Sequence, residues 1–577
     1  MAFDTTTQRN IDTWLNGNYD AESKAEIQSL LDAGNEEALT NAFYQDLEFG
    51  TGGLRGIMGV GSNRVNRYTL GAATQGFANY LNKTFDGDIS VVIAHDCRNN
   101  STLFANLVTD VFSANGITVF FFDGMRPTPE LSFAVRKLGS KGGVMLTASH
   151  NPKEYNGYKA YGPDGGQLVF PDDKGVMDEV RNINSIDDIK FDRNDSLVKM
   201  IGAGIDEDYF NELVKLSLHP EAIAKVADMP IVFSPIHGTG SVSVPPILKR
   251  FGFKNVITVE EQMVEDGNFP TVVYPNPEEE EALTMALNKA REVNADLVMA
   301  TDPDADRVGI AIRNGDGELV LLNGNQTACL LVHYVLSGYQ QKGDLRKNDY
   351  VVKTVVTSYM IDHIAKSFGV DCFNTLTGFK FIGQVMTKLE GERRFLVGGE
   401  ESYGYLAGEH ARDKDAVISC ALIAEMAAYH KSEGRNLWDV LVNLYDEYGF
   451  YLEKLVAVKK EGKAGAEEIQ AMMSGFRQNP PTSLGGSAVV TIKDYKLSTS
   501  TSFPSGEIES IDLPSSNVLQ FFTEDGTIVS ARPSGTEPKI KFYCSVNAGL
   551  ASADAFDRTQ KALEEKIDKV LVDLGVA

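Results

Sequence analysis

A serine placed directly after an apolar segment could carry chemistry in this chain. In "KGGVMLTASHNP" the apolar residues end on Ser149, His150 and Asn151. A hydroxyl at a strand end also caps turns, so a purely structural role for Ser149 stays open. His150 and, beyond a glycine turn in "YNGYK", Lys159 are nearby candidates for proton transfer or phosphate contact. The pattern predicts a strand whose polar tip exposes a serine.

A second segment, "TDPDADR", carries carboxylates at alternate positions. In an extended loop Asp302, Asp304 and Asp306 point to one side, and hard oxygen ligands of this kind suit Mg²⁺ or Ca²⁺. An EF-hand loop needs Gly at its sixth position and Glu at its twelfth, where this chain has Arg307 and Arg313. The loop therefore predicts a magnesium site with open positions, and a solvated acidic turn is the alternative.

Two further strings suit anions and sugars. In "RPSGTEPK" a glycine-containing turn lies between Arg532 and Lys539, so backbone N–H groups can converge on a phosphate. A plain hairpin turn is the alternative. In "GGEESYG", Glu400 and Ser402 offer an acceptor and a donor for sugar hydroxyls.

Strands and helices must position these tips, and their order repeats three times. Strand–helix–strand–helix–strand patterns end in "GGVMLTAS", in "ADLVMATD" and in "RRFLVGGEES". Alternation of this kind predicts mainly parallel sheets covered by helices on both faces, with ligands bound outside the carboxyl ends of the strands. The remainder, with "AVVTIKDYKLS", a hairpin through "EDG" and a final amphipathic helix, predicts an antiparallel α+β domain. Residues 1–45 are predicted to form a helical extension.

Composition excludes several classes of protein. The chain has 577 residues, too many for one core, and 43% of them are hydrophobic. A net charge of −26 disfavours nucleic acid and anionic membranes as partners, although a local basic cluster can still hold a small phosphate. The sequence lacks a membrane-spanning apolar segment and a GxxxxGK[ST] phosphate loop. We therefore expect a cytoplasmic protein with five reduced cysteines.

The strings "TASHNP", "NGYK", "TDPDADR", "GEESYG" and "RPSGTEPK", in this order, resemble the α-D-phosphohexomutase superfamily over nearly the whole chain. "FGTGGLRG", "PTPE" and "SPIHGTG" are also similar to members of this group. "GEESYG" resembles the phosphoglucomutase branch. The long N-terminal segment and "FGTGGLRGIMG" resemble the subgroup that includes phosphoglucomutase 2 and phosphopentomutase.

The resemblance implies a fold, and we expect particular domain boundaries along the chain. It implies three successive α/β domains of βαβαβ type with mixed or parallel sheets, and a C-terminal α+β domain, around a central cleft. We expect the limits to be 1–45 for the helical extension, 46–207 for the serine domain, 208–322 for the metal domain, 323–450 for the sugar domain and 451–577 for the phosphate domain.

The resemblance also implies a set of site residues. Ser149 would carry a phosphoryl group and, with Asp302, Asp304 and Asp306, bind Mg²⁺. Arg55, His150, Lys159 and Arg307 would be the other catalytic residues, with the acid/base role left open between His150 and Lys159. The implied substrate-binding residues are Arg98, Thr377, Lys380, Glu400, Ser402, Lys414, Arg532, Ser534, Gly535 and Thr536.

The implied reaction is the interconversion of glucose 1-phosphate and glucose 6-phosphate, with glucose 1,6-bisphosphate as intermediate and activator. Phosphomannomutase and phosphopentomutase activities are the alternatives on the same scaffold. A phosphatase would not need the distal phosphate loop, and a non-catalytic sensor would lack the serine or an aspartate. We expect sugar phosphates as partners and no obligate protein partner.

Overall fold

Three α/β units follow one another, and an antiparallel sheet comes last. The structure is a computed structural model that describes residues 3–50, 52–460, 462–534 and 539–576, without the side chains of residues 462 and 463. In each of the first three units the apolar strands of the predicted βαβαβ pattern form a parallel triplet. In the described part of the chain, no helix is both long and apolar enough to cross a membrane.

The N-terminal residues form three helices, each begun by a polar cap. Asp4, for example, accepts hydrogen bonds from two N–H groups of the first turn, which satisfies donors that the helix leaves free. Trp14 packs edge-on against Phe43 within these helices and against Tyr68 of the first unit. The helices are α1 (Thr5–Asn16), α2 (Ala21–Asp32) and α3 (Glu36–Phe43).

The first unit is a six-stranded sheet in the order β1-β5-β4-β2-β3-β6, and β2, β3, β4 and β6 run parallel. Helices cover both faces, so the central strand β4 is buried at every position. The elements are β1 (Gly53–Ile57), α4 (Arg67–Thr84), β2 (Ser90–His95), α5 (Ser101–Ala114), β3 (Thr118–Phe122), α6 (Thr128–Leu138), β4 (Gly142–Leu146), β5 (Tyr155–Tyr161), α7 (Asp172–Arg181) and β6 (Val198–Ile201).

One local expectation for this unit is wrong. The glycine of "YNGYK" was expected in a turn, but Gly157 lies inside β5, which pairs antiparallel with both β4 and β1. A Cβ atom at Gly157 would lie 2.6 Å from the carbonyl oxygen of Thr147 and 2.8 Å from that of Leu54. Glycine is needed because two neighbouring backbones approach closely, and Lys159 consequently projects from a strand.

The second unit is a five-stranded sheet in the order β11-β10-β9-β7-β8. β7, β8 and β9 are parallel, and β10 and β11 add an antiparallel edge. The elements are α8 (Ala203–Val214), α9 (Pro220–Lys225), β7 (Ile231–Ser234), α10 (Gly240–Phe251), β8 (Val256–Thr258), α11 (Glu260–Met263), α12 (Glu280–Glu292), β9 (Leu297–Thr301), β10 (Val308–Arg313) and β11 (Leu319–Leu322).

The third unit has the order β13-β12-β14-β15, with β15 antiparallel to its neighbour. Its helix α16 is buried on nearly all sides. The elements are α13 (Gly324–Gln341), β12 (Asp349–Thr354), α14 (Met360–Ser367), β13 (Asp371–Thr375), α15 (Phe379–Leu389), β14 (Arg394–Gly399), β15 (Tyr405–Ala407), α16 (Ala416–Ser432) and α17 (Leu437–Tyr448).

The last unit is antiparallel in all its described pairings, with the order β16-β23-β22-β21-β18-β19-β20 and β17 beside β18. The elements are β16 (Phe450–Lys459), α18 (Gly462–Gln478), β17 (Ser483–Leu484), β18 (Ser487–Asp494), β19 (Thr499–Ser502), β20 (Ile508–Ser510), β21 (Leu519–Thr523), β22 (Ile528–Pro533), β23 (Lys539–Ala548) and α19 (Phe556–Asp573). The predicted fold class of three α/β units and one α+β unit is therefore confirmed.

Candidate active site

The serine tip is buried rather than exposed. Ser149 follows β4, is only 2% exposed, and has a φ of 51°, a left-handed conformation uncommon for residues other than glycine. Its N–H donates a hydrogen bond of 2.8 Å to the hydroxyl of Thr147. The expectation of an exposed serine is wrong because the aspartate loop of the second unit lies directly over it.

Arg98 holds the serine loop from inside. Its side chain is 0% exposed, and its Nε lies 3.3 Å from Oδ2 of Asp96. The guanidinium thus contacts the protein's own backbone, and the substrate-binding role that the resemblance implied stays a prediction. We infer in addition that Arg98 positions the serine loop. Its guanidinium donates, at 2.5 to 3.1 Å, to the carbonyl oxygens of Ser149, Asn151, Pro152 and Tyr155.

The aspartate loop connects β9 to β10 and meets Ser149 across the boundary between two units. Ser149 Oγ donates a hydrogen bond of 2.8 Å to Oδ2 of Asp302. The other oxygen of Asp302 accepts from the N–H groups of Asp306 and Arg307, at 3.1 and 3.0 Å. The first carboxylate thus fixes the loop and touches the serine.

Three cationic side chains surround the carboxylates. Lys159 Nζ lies 2.6 Å from Asp304 Oδ2 and 2.9 Å from Asp306 Oδ2. Lys414 Nζ lies 3.1 Å from Asp306 Oδ2. Arg307 pairs with Oε1 of Glu278 at 2.5 Å, while its Nε lies 3.8 Å from Asp306. The predicted residues Lys159, Arg307 and Lys414 are therefore brought together at the acidic loop.

The carboxylates suit a hard divalent cation. One oxygen from each of Asp302, Asp304 and Asp306 lies within 4.8 Å of the others, and all three residues are buried. The Oδ1 atoms of Asp304 and Asp306 are buried without a hydrogen-bond partner. A buried polar atom without a partner is costly, and an oxygen-only donor set is what Mg²⁺ prefers. The residues present therefore fit a magnesium ion.

The electrostatics of the pocket agree with an added cation. Burial, and then the adjacent Asp304 and Asp306 carboxylates, raise the pKa of Asp302 well above its usual range. Burial also opposes ionisation of Asp306, but Lys159 and Lys414 hold its pKa below the ordinary value. Burial and the neighbouring carboxylates thus disfavour an ionised Asp302 more than the positive charge of Arg307 favours it.

The two candidates for proton transfer have different contacts, His150 with the serine and Lys159 with the aspartate loop. His150 Nδ1 is 3.3 Å from Ser149 Oγ. Burial, and then the nearby Arg307 and Arg55, lower the pKa of His150 well below its ordinary value. Lys159 is also buried, yet Asp304 and Asp306 raise its pKa. Arg55, on β1, is exposed and donates a 2.8 Å hydrogen bond to Oδ1 of Asn151.

The sugar loop lies close to this cluster. Glu400 is buried, and its Oε1 accepts a 2.8 Å hydrogen bond from Gly378 N–H. Burial raises the pKa of Glu400 in spite of the positive charges of Lys414 and Arg307. Ser402 and Thr377 are partly exposed. Lys380 is also partly exposed, and its Nζ lies 5.2 Å from the ring centre of Phe381.

The predicted phosphate loop is described only in part. Arg532 is partly buried on β22, opposite Lys541 of β23. Ser534 N–H donates a 2.7 Å hydrogen bond to the carbonyl oxygen of Lys539, as in a hairpin connection. Gly535 and Thr536 lie outside the described residues. The phosphate-binding role of this string stays a prediction.

Sequence reasoning missed three partners of the site. Glu278 pairs with Arg307, Asp413 lies 3.0 Å from Lys414 Nζ, and Thr128 Oγ1 donates to Asp304 Oδ2 at 2.8 Å. Asp413 adjoins Lys414 in "ARDKDA", which was the one local signal available. Thr128 lies in "PTPE", a string whose residue types do not indicate a contact with the aspartate loop.

Family models match three consecutive parts of the chain. They are the phosphoglucomutase/phosphomannomutase α/β/α domains I, II and III, which match residues 46–187, 207–315 and 323–448. These matches support three α/β units, whereas the domain limits given above remain predictions.

Curated relatives cover most of the chain. A phosphoglucomutase of Staphylococcus haemolyticus (strain JCSC1435) is 36% identical over 527 residues, 90% of this chain and 94% of that protein. A phosphoglucomutase of Staphylococcus aureus (strain MRSA252) is 38% identical over 507 residues, 87% of this chain and 90% of that protein.

Solved structures share the fold at low identity. The phosphoglucomutase pp63/parafusin from Paramecium has a TM-score of 0.68 at 19% identity and covers 92% of this chain and 95% of its own. A phosphoglucomutase/phosphomannomutase family protein from Burkholderia thailandensis has a TM-score of 0.61 at 17% identity and covers 90% and 96%. With these family matches and close relatives, the chain belongs to the phosphoglucomutase/phosphomannomutase family of the α-D-phosphohexomutase superfamily.

Proposed function

We propose that this protein is a phosphoglucomutase that interconverts glucose 1-phosphate and glucose 6-phosphate. The observation that carries the proposal is the contact between Ser149 Oγ and Asp302 Oδ2, 2.8 Å apart although they belong to different units. A purely structural serine needs no such partner, because its own loop is already held by Thr147 and Arg98. The phosphoglucomutase names of the two Staphylococcus relatives support the same activity.

Ser149 is the proposed phosphoryl carrier. In the forward step the P–O bond to Ser149 Oγ breaks while a new P–O bond forms to the free hydroxyl of glucose 1-phosphate, giving glucose 1,6-bisphosphate. The hydroxyl proton leaves to a base, and His150 and Lys159 are the two candidates. The freed Ser149 Oγ takes up a proton. In the second step the P–O bond at C1 of the bisphosphate breaks, that phosphoryl group bonds to Ser149 Oγ as its proton passes to the released sugar oxygen, and glucose 6-phosphate leaves. Phosphoryl transfer depends mainly on in-line positioning and charge neutralisation, which a fixed strand end and a cationic pocket supply.

Asp302, Asp304 and Asp306, with the oxygen of Ser149, are the proposed ligands of Mg²⁺. A bound magnesium ion would supply charge neutralisation at the transferring phosphate. Arg307, Lys414 and Arg55 are proposed to neutralise phosphate charge on the protein side, while Arg98 keeps the serine carbonyl fixed. Arg307, Lys414 and Arg55 would thus contact the substrate, whereas Arg98 would act by holding the serine loop.

The remaining residues are proposed to hold the sugar and its second phosphate. Glu400 and Ser402, with Thr377 and Lys380, would contact sugar hydroxyls. Arg532, Ser534, Gly535 and Thr536 would clamp the phosphate distant from Ser149. Because the bisphosphate must present either phosphate to the serine, sugar and phosphate contacts on separate units allow both orientations.

Glucose preference is tested by a substrate comparison. The purified protein is assayed with glucose 1-phosphate, mannose 1-phosphate and ribose 1-phosphate, with and without glucose 1,6-bisphosphate. We expect the highest kcat/KM with glucose 1-phosphate and activation by the bisphosphate. A higher kcat/KM with the mannose or ribose ester would assign the alternative activity.

The expected cytoplasmic location stays a prediction.

A further inference from the structure

The second glutamate of "GEESYG" points away from the acidic loop and into the third unit. Oε2 of Glu401 accepts hydrogen bonds from the hydroxyls of Thr354 and Thr357, at 3.2 and 3.1 Å. The two hydroxyls also contact each other at 2.8 Å. Adjacent residues of one loop thus face different partners, Glu400 towards the site and Glu401 towards the end of β12.

The same short segment is held from the other side by the fourth unit. Gln520, on β21, is 0% exposed, and its Nε2 donates to the carbonyl oxygen of Val355 at 2.7 Å. Within its own unit, Nε2 also donates to Ser530 Oγ at 2.8 Å and Oε1 accepts from the Tyr495 hydroxyl at 2.6 Å. The amide is fully used, so its orientation is fixed by the fourth unit.

The third and fourth units share more than one contact, and one of them lies at residues 354–357. An apolar cluster joins the third and fourth units beside Gln520. A cavity of about 280 Å³, lined by Glu401 and Tyr543 among others, separates the units next to this cluster. The members of the cluster are Val355, Val356 and Leu376 from the third unit and Tyr495, Val518 and Tyr543 from the fourth. Residues 354–357 thus lie at one packed contact between the two units, and Tyr445 of α17 packs against Phe450 and Phe556 at another.

We propose that Glu401 and Gln520 are positioning residues that couple the placement of the fourth unit to the sugar loop through residues 354–357. Gln520 binds the backbone of this segment, and Glu401 binds its two threonine hydroxyls. Because Glu401 is adjacent to Glu400 and Ser402 in the chain, a shift of the segment also shifts these two sugar-contacting residues. The inference rests on the proposed function, because it assumes that the sugar loop and Arg532 hold two ends of one substrate.

The test compares variants that break either end of this connection. Glu401→Ala removes the acceptor and Gln520→Leu removes the donor, whereas Glu401→Gln keeps an acceptor oxygen. We expect each of the first two to raise both the KM for glucose 1-phosphate and the bisphosphate concentration needed for half-activation about tenfold, because a buried hydrogen bond is lost. We expect kcat to change less than about threefold and Glu401→Gln to stay near the unsubstituted enzyme.

The double variant and a control test whether Glu401 and Gln520 act through the same segment. If both residues act through one segment, Glu401→Ala with Gln520→Leu raises KM about as much as one change alone, since coupled sites are not additive. Multiplied effects of about one hundredfold would overturn the coupling. Asn547→Ala, which removes an amide-to-carbonyl bond inside the fourth unit, is expected to leave KM unchanged.

Folding is checked first by thermal unfolding of each variant. If Gln520→Leu does not fold, Gln520→Glu replaces it, because this change keeps the size of the side chain and removes the Nε2 donor to Val355 and Ser530. Variants that are well folded and keep the original KM would refute the inference while the unsubstituted enzyme remains a mutase. An unsubstituted enzyme without mutase activity would refute the proposed function instead.

Discussion

At the scale of the residue, the serine loop depends on one buried arginine. Arg98 donates to four backbone carbonyl oxygens of the segment that contains Ser149, and Asp96 balances its charge. The left-handed backbone of Ser149 is strained for a non-glycine residue, and such strain persists only where the surroundings fix it. Arg98 is therefore expected to maintain the geometry of the reacting hydroxyl.

We predict that Arg98→Met lowers both stability and turnover. Removing one partner of a buried ion pair leaves Asp96 unpaired and costs about 3–5 kcal/mol of unfolding free energy. Because Ser149 would lose its fixed position, kcat is expected to fall at least about a hundredfold, as misplacement of a reacting group by about 1 Å can cause. Denaturant unfolding and steady-state kinetics measure the two effects.

Arg193→Met is the matched control for that prediction. Arg193 also pairs with aspartates, Asp110 and Asp195, but its side chain is 31% exposed. Exposed pairs contribute about 0–1 kcal/mol, so stability and kcat are expected to stay close to those of the unsubstituted protein. Equal effects of the two substitutions would contradict the positioning role of Arg98.

Residue types predicted part of the site and missed its partners. Ser149 and the three aspartates were predicted because each lies in a short string with its own chemistry. The inward placement of Arg98 was not predicted, because its carbonyl acceptors lie about 50 residues further along the chain. Glu278 and Thr128 were missed for the same reason, since they meet the aspartate loop only after the units pack.

At the scale of the element, the β9–β10 loop concentrates three carboxylates at one strand end. We predict that excess EDTA abolishes mutase activity and that Mg²⁺ restores it, because Asp304 and Asp306 hold buried oxygens that lack hydrogen-bond partners. Mg²⁺ is also expected to raise the Tm. At a concentration one hundred times its Kd, binding adds about 2.7 kcal/mol to the free energy of unfolding. Enzyme assays and thermal unfolding provide two separate readouts.

Asp304→Asn is the control for this prediction. The variant is expected to show little shift of Tm with Mg²⁺, because one ligand charge is gone. Full activity in excess EDTA, or an equal Tm shift in the variant, would mean that the loop is an acidic turn held only by Lys159 and its neighbours.

The order of the helices and parallel strands could be predicted from the sequence, whereas the added antiparallel strands could not. Alternating apolar strands and amphipathic helices identified the parallel triplet of each α/β unit. The antiparallel strands β5, β10 and β15 were not predicted, because each follows a site loop and lies outside the repeated βαβαβ pattern. Gly157 shows the difficulty, because a glycine needed for close backbone packing has the same letter as a glycine in a turn.

At the scale of the whole molecule, one apolar core reaches from the first unit to the last. It includes Val92 of β2, the buried helix α16 and Leu571 of α19. Such a core keeps the serine, metal and sugar loops in register although they belong to different units. This continuity could not be predicted from the sequence, because repeats indicate separate units and do not indicate how these units pack.

The boundary with the fourth unit predicts a dependence of stability on pH. Burial raises the pKa of Glu453 to about 7. The folded protein therefore prefers the protonated side chain, a contribution that is present below the unfolded pKa and lost as pH rises through about 7. We predict that Glu453→Gln gains Tm relative to the unsubstituted protein between pH 5 and pH 8. An unchanged difference in Tm across this range would contradict the burial of an uncharged Glu453.

The central claim is that Ser149 carries the phosphoryl group. The most direct test incubates the protein with glucose 1,6-bisphosphate and Mg²⁺, removes the ligand, locates the phosphate by peptide mass spectrometry, and then adds glucose 1-phosphate. We predict phosphate on Ser149, its loss to sugar bisphosphate on addition of substrate, and no labelling in a folded, inactive Ser149→Ala protein, with Ser29→Ala, an exposed helix serine, behaving normally. Active Ser149→Ala protein, or stable transferable phosphate on another residue, would contradict the account.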